Sequence, residues 1–308
     1  MMNIASRRKL LLAGLGFGAG LTAFGPARAQ SAKAQPLRLV ASFSILADIL
    51  RQIAPADAEV GALVGPEGDA HAYAPTPGDV KRLAAADLVA INGLGFEGWI
   101  ERLVKASGYR GVLQVASAGL VPRKLGPTPD PHAWHDPASV RLYVRNLSTA
   151  LQALRPAQAA SVRERTDAYL QQIDRFDHSA RARLGAIPES GRRVITSHGG
   201  FGYLGGAYGL EFLSPLGWRN DQEPSAAAVA RLIAQIRKLQ VRAVFIDSLK
   251  DSRLMQQIAR DSGAVVGGQL HGDALTRPGG EADSYLRLME HNVATLASAL
   301  GAAPAPRN

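Results

Sequence analysis

Cysteine is absent from all 308 residues, which excludes disulfides, thiolate metal ligands and a lipid-modified N-terminal cysteine. Beyond one N-terminal run, no apolar stretch is long and uninterrupted enough to span a bilayer. Aromatic residues make up only 6% of the chain, and its basic residues form no concentrated stripe with stacking aromatics. Arg155, Arg163, Arg165, Arg175, Arg181 and Arg183 are scattered among acids on helical segments. That is the pattern of a solvated surface and argues against a nucleic-acid partner. No HExxH helix is present either, so the simplest zinc-hydrolase signature is missing.

The first residues, MMNIASRRKLLLAGLGFGAGLTAFGPARAQ, place Arg7, Arg8 and Lys9 before an apolar run with four glycines and then Ala27-Arg28-Ala29. The run is roughly 15 residues, short of the ~20 that a spanning helix needs, and ends in a small-x-small pattern. It reads as a signal peptide over residues 1–29, cleaved after Ala29. Ser6-Arg7-Arg8 followed by leucines has the form of a twin-arginine signal, which exports folded proteins. Cleavage removes four basic residues and no acid, so the formal charge falls from +9 to +5. The expected product is soluble in the periplasm, without a membrane anchor.

Strand and helix patterns alternate through the remainder. LRLVASF (37–43), AEVGALV (58–64), LVAIN (88–92) and GVLQVA (111–116) read as strands. ILADILRQIA (45–54), PGDVKRLAAA (77–86) and FEGWIERLVKA (96–106) carry helical spacing between them. The theme returns in RRVITS (192–197), VRAVFID (241–247) and AVVGGQL (264–270), with helices over 225–240, 252–262 and 285–300. Such alternation predicts an α/β protein with mainly parallel sheets flanked by helices. Between the two halves, Val162, Tyr169, Ile173, Phe176, Ala180 and Leu184 form one stripe. It predicts a long, stiff helix over 156–185 joining an N-terminal lobe (30–155) to a C-terminal lobe (186–308). The tail APAPRN is expected to fray.

Seven histidines stand at 71, 132, 135, 178, 198, 271 and 291. His71, His132 and His198 lie where strands give way to loops, and Asp273 follows GGQL in the same manner. Loops at the carboxyl ends of strands line the ligand crevice of open α/β sheets, so four metal-ligand side chains, two from each half, can converge in one cleft. Taken singly, each also fits a packed polar residue or a turn cap. In DPHAWHDP (130–137) two histidines stand three apart, so one can enter the cleft while the other caps the helix from Pro137 or faces solvent. His178 and His291 sit on charged helical faces and are expected to be exposed. His271, two residues before Asp273, remains open as a group supporting a ligand.

These segments resemble the periplasmic metal-binding proteins of ABC importers for zinc and manganese, the ZnuA, TroA and PsaA-like family, over essentially the whole exported chain. HAYAPTPGD, NGLGFEGWIERL, DPHAWHDP, TSHGGFGYLGGAYGL and GGQLHGDAL match the family's loops in order and spacing. The resemblance implies a metal site between two lobes with His71, His132, His198 and Asp273 as ligands, and favours His132 over His135. It implies a receptor that is no enzyme, expected to be monomeric, handing its ion to a membrane permease with a cytoplasmic ATPase. Three imidazoles and one carboxylate lean towards Zn²⁺, with Mn²⁺ as the alternative. The His-rich loop of many zinc-specific members is missing from VPRKLGPTPD. Two rival readings remain: a zinc hydrolase using Asp247 or Glu67 as general base, and an interaction protein with a structural metal.

Overall fold

The computed structural model describes residues 35–215, 224–249 and 252–301. The signal-peptide reading of 1–29 and the frayed tail fall outside the described residues. In the first half, β1 (Arg38–Phe43), α1 (Ser44–Ile53), β2 (Glu59–Val64), α2 (Pro77–Ala84), β3 (Leu88–Ile91), α3 (Ile100–Ser107) and β4 (Val112–Val115) follow in order. The four strands form a parallel sheet in the order β2-β1-β3-β4. A two-stranded antiparallel ribbon, β5 (Lys124–Leu125) and β6 (Thr128–Pro129), then leads to α4 (Pro137–Leu154) and α5 (Ala159–Gly185).

The second half contains β7 (Arg193–Ile195), α6 (Gly202–Tyr208), β8 (Glu211–Leu213), α7 (Ala226–Leu239), β9 (Ala243–Asp247), α8 (Ser252–Ser262), β10 (Val265–Leu270) and α9 (Tyr285–Ala299). Its parallel sheet runs β10-β9-β7-β8. Two α/β lobes result, each a four-stranded parallel sheet flanked by helices. None of the described helices is long and apolar enough to cross a membrane.

The long helix begins later than its sequence pattern suggests, because Pro156–Gln158 forms a separate 3-10 turn before α5. Its 27 residues still extend about 40 Å at 1.5 Å per residue. All six residues of the predicted stripe are buried, joined by Thr166 and Asp177. Asp177 receives Arg141 from α4, Arg181 from its own helix, and a 3.1 Å hydrogen bond from the Tyr208 hydroxyl of α6. α5 packs on α1 and α4 from the first half and on α6 and α9 from the second. One continuous apolar core therefore runs from Leu37 to Leu300 through both halves, with a smaller cluster around Leu232, Ile236 and Ile258 under α7 and α8.

Two local differences from the sequence pattern have identifiable causes. α3 starts at Ile100 rather than near Phe96, because Glu97 is turned inward as an acceptor. Its carboxylate receives the Ser42 hydroxyl at 2.6 Å, the Asn92 amide at 2.6 Å and the Gly93 amide at 3.1 Å. The ends of β1 and β3 are thereby tied together across a turn. The other difference is α6 and β8, which lie in a glycine-rich stretch without a readable period; Gly209 ends α6 at φ +71. Replacing Glu97 by Ala leaves two buried donors and one half-buried donor unpaired and should cost about 3 kcal/mol of stability. Urea unfolding checks this; an unchanged midpoint would contradict the role given to the carboxylate.

Candidate metal centre

Each of the four expected ligands stands beyond the carboxyl end of a strand or ribbon, and the fold brings all four together. Their nearest donor atoms lie within 4.8 Å of one another. His71 Nε2 and His198 Nε2 are each 3.4 Å from Asp273 Oδ2, His132 Nε2 is 3.6 Å from Asp273 Oδ1, and the His71 and His132 Nε2 atoms are 3.2 Å apart. Ligands at about 2.0–2.1 Å around a tetrahedral ion stand about 3.3 Å from one another. The spacings match that shell, and both Asp273 oxygens face histidines. His132, His198 and Asp273 have no exposed surface, and His71 has 7%.

Local chemistry aims each ring. His71 follows an Asp69 turn, with its amide 2.8 Å from Asp69 Oδ1, and the preceding Ala70 carbonyl accepts from Trp99 Nε1 at 2.9 Å. Downstream, Thr76 and Asp79 form a reciprocal capping box on α2, so the loop is pinned at both ends. Asp130 holds His132 twice: Oδ1 lies 3.1 Å from the backbone nitrogen and 2.9 Å from Nδ1. Asp247, at the end of β9, lies 2.8 Å from His198 Nδ1. With a carboxylate against Nδ1, the His132 and His198 rings present Nε2 to the centre, the usual arrangement behind a metal-bound histidine. Asp130, without an assigned role in the sequence, and Asp247, a candidate base there, both stand as such ring partners. The signals were an acid two residues before His132 and an acid ending the strand VRAVFID.

Electrostatics follow from burial. Burial opposes charge on His198, but Asp273 and Asp247 outweigh it and hold the imidazole up to about 10. Burial likewise opposes charge on Asp273, yet His198 and His71 keep its carboxyl well below the usual range. For His132, burial outweighs Asp130 and Asp273 and lowers the pKa. The two carboxylates that face His198 thus favour its protonated form.

His135 neither caps the helix nor faces solvent. Asp136 caps α4, accepting from the Ala138 and Ser139 amides at 3.0 and 3.2 Å. His135 is fully buried with its ring centroid 4.9 Å from Phe201, and neither ring nitrogen has a hydrogen-bond partner among the described residues. His178 is exposed. His291, expected in solvent, is half-buried and shares Glu281 with His271, whose Nε2 lies 3.1 Å from that carboxylate.

The loops are also bound to each other. Trp134 Nε1 donates to the Gly272 carbonyl at 2.9 Å, and Tyr285 donates to the Trp134 carbonyl at 3.0 Å. DPHAWHDP thus holds the segment that carries Asp273. A side chain at Gly200 would overlap the His198 ring at Nε2, which explains the glycine at this position.

Fold and site together define a two-lobe α/β protein built to enclose a metal ion. The chain belongs to the family described as the periplasmic component A of the zinc-uptake complex, which matches residues 39–299. It is 31% identical to the manganese-binding lipoprotein MntA of Halalkalibacterium halodurans over 86% of this chain and 88% of that one. To the iron-binding protein YfeA of Yersinia pestis it is also 31% identical, over 87% and 88%. To the zinc-binding protein TroA of Treponema pallidum it is 33% identical, over 93% and 96%. The solved TroA structure superposes with a TM-score of 0.82 at 28% identity, covering 87% of this chain and 99% of that one.

Two predictions follow from the geometry. An overlap of about 1–3 kcal/mol makes Gly200→Ala weaken Zn²⁺ binding by roughly 5- to 150-fold in calorimetric titration; unchanged affinity would contradict the close approach. The second concerns pH. Burial, with the like charge of His132 second, pushes His135 down to about 3, whereas an unfolded histidine protonates near 6.5. Between those values only the unfolded chain binds the proton. This contribution to stability is complete above about pH 6.5 and falls as pH drops towards 3, by about 1.4 kcal/mol per unit. Between pH 7.5 and 5, His135→Phe should lose about 2 kcal/mol less than the parent chain in metal-free urea unfolding; equal losses would contradict it.

Proposed function

We propose that this protein is a periplasmic solute-binding receptor that captures a divalent transition metal, Zn²⁺ foremost, and delivers it to the permease of an ABC importer. His71, His132, His198 and Asp273 are the proposed ligands. The observation that carries the proposal is four buried donors already standing at ligation spacing. Four protein ligands fill a tetrahedral shell, whereas a catalytic zinc keeps a position for water. The carboxylates that a hydrolase would need as base are engaged elsewhere: Asp247 faces His198 Nδ1, and Glu67 pairs with Arg277 at 2.7 Å.

The residues 1–29 supply the export signal in this proposal, and 30–155 and 186–308 act as lobes about the helix of 156–185. Metal entry displaces the His198 proton, so acid competes with the ion. α5, packed against both halves, resists a wide hinge opening, and release falls to movement of the loops bearing His198 and Asp273. Three imidazoles favour zinc over the harder manganese. The name of MntA supports manganese as the second reading.

His198→Ala should abolish tight metal binding in calorimetric titration, with the fold retained by circular dichroism; unchanged affinity would sink the ligand assignment. Protein offered equimolar Zn²⁺ and Mn²⁺ during periplasmic expression should carry zinc by elemental analysis. Manganese retained at one equivalent would overturn the choice of zinc.

A further inference from the structure

A second group of side chains able to ligate a metal comes from the segment that carries Asp273 and from the helix after it. His271 follows β10, Glu281 precedes α9 and His291 lies on α9. His271 Nε2 is 3.1 Å from Glu281 Oε1, and His291 Nδ1 is 3.5 Å from Glu281 Oε2. The imidazole centroids are 4.9 Å apart, and one donor atom from each of the three falls within 4.8 Å of the others. These separations bracket the ~3.3 Å between donors on a shared tetrahedral ion.

The surrounding bonds aim the donors inward. His291 Nε2 stands 3.0 Å from the Gln269 carbonyl, with Thr295 Oγ1 3.4 Å away. A carbonyl only accepts, so Nε2 carries the hydrogen and Nδ1 turns its lone pair towards Glu281. Lone pair then faces carboxylate, an arrangement completed by a cation between them. The backbone of His271 is clamped on both sides by Asn292, which accepts from its amide at 2.9 Å and donates to its carbonyl at 2.8 Å. The His291 imidazole is thus held by a group outside the cluster, as metal-bound histidines are, and His271 is fixed through its backbone.

We propose that His271, Glu281 and His291 form a second, solvent-facing site for a late first-row divalent metal such as Zn²⁺. Two imidazoles and one carboxylate suit that class better than Mg²⁺ or Ca²⁺, which take oxygen shells. The site differs from the buried centre in kind. Glu281 is 56% exposed and His291 21%, and three protein donors leave the remaining positions to water. Metal held here is exchangeable, on the same loop as Asp273. The proposal goes beyond the transport reading and stands whichever metal is the cargo.

Calorimetric titration of the untagged protein with ZnCl₂ tests it. Two equivalents are expected, the second at least tenfold weaker, and MgCl₂ should give no heat at the weaker site. Glu281→Gln and His291→Ala should each remove only the weaker equivalent; Glu281 is a loop side chain, so E281Q retains the fold if His291→Ala does not. His198→Ala should remove only the tight one. A single equivalent in the parent protein, or a weaker equivalent that survives in the E281Q/H291A double variant, would overturn the second site. A tight equivalent surviving His198→Ala would instead count against the buried ligands and leave this site standing.

Discussion

Everything else in the structure serves one electrostatic arrangement, a carboxylate without exposed surface ringed by three imidazoles. An ionised carboxyl in an apolar interior is costly unless it is paired. Asp273 meets that requirement through His71, His132 and His198 at 3.4–3.6 Å. In the proposed function a divalent cation takes the place of the proton in this geometry. Phe96, Trp134 and Phe201 stand around the imidazoles, with centroids 4.7 to 6.1 Å away. They keep water out and strengthen each charge interaction inside.

The fold supplies that ring by repetition. In each half parallel strands deliver the chain to their carboxyl edge, where His71, His198 and Asp273 stand, whereas His132 arrives from the antiparallel β5–β6 ribbon. Convergence then depends on how the halves are joined. The joints are polar and specific: Trp134 to Gly272, Tyr285 to Trp134, the Leu275 amide to Ser44 at 3.0 Å and the Tyr285 amide to Asp48 at 2.8 Å. With a continuous apolar core beneath them, these bonds make a single scaffold. In the proposed function, small displacements of loops, more than wide rotation of lobes, release the ion.

Much of this is legible in the sequence because the signals are local. Short β-branched runs and helices with a clear apolar stripe fall close to the observed β1, β3, β9, α7 and α9. The four proposed ligand positions emerge from a placement rule, histidine or aspartate just beyond a strand, joined to the family resemblance. What remained hidden depends on tertiary contact. Nothing local says that Glu97 turns inward and delays α3, or that glycines over 202–209 pack as a helix. His135 has the composition of a surface cap, and only the packing of Phe201 and Trp134 makes it a buried neutral ring. Asp130 and Asp247 acquire their purpose from rings brought to them by the fold.

Anomalous diffraction at the zinc edge from metal-loaded crystals is the most direct test of the buried centre. The strongest peak should lie about 2.0–2.1 Å from Nε2 of His71, His132 and His198 and from a carboxylate oxygen of Asp273, with Nδ1 of His132 and His198 still against Asp130 and Asp247. A peak bonded to His135, or one that leaves Asp273 outside the coordination shell, would contradict the arrangement described for this protein.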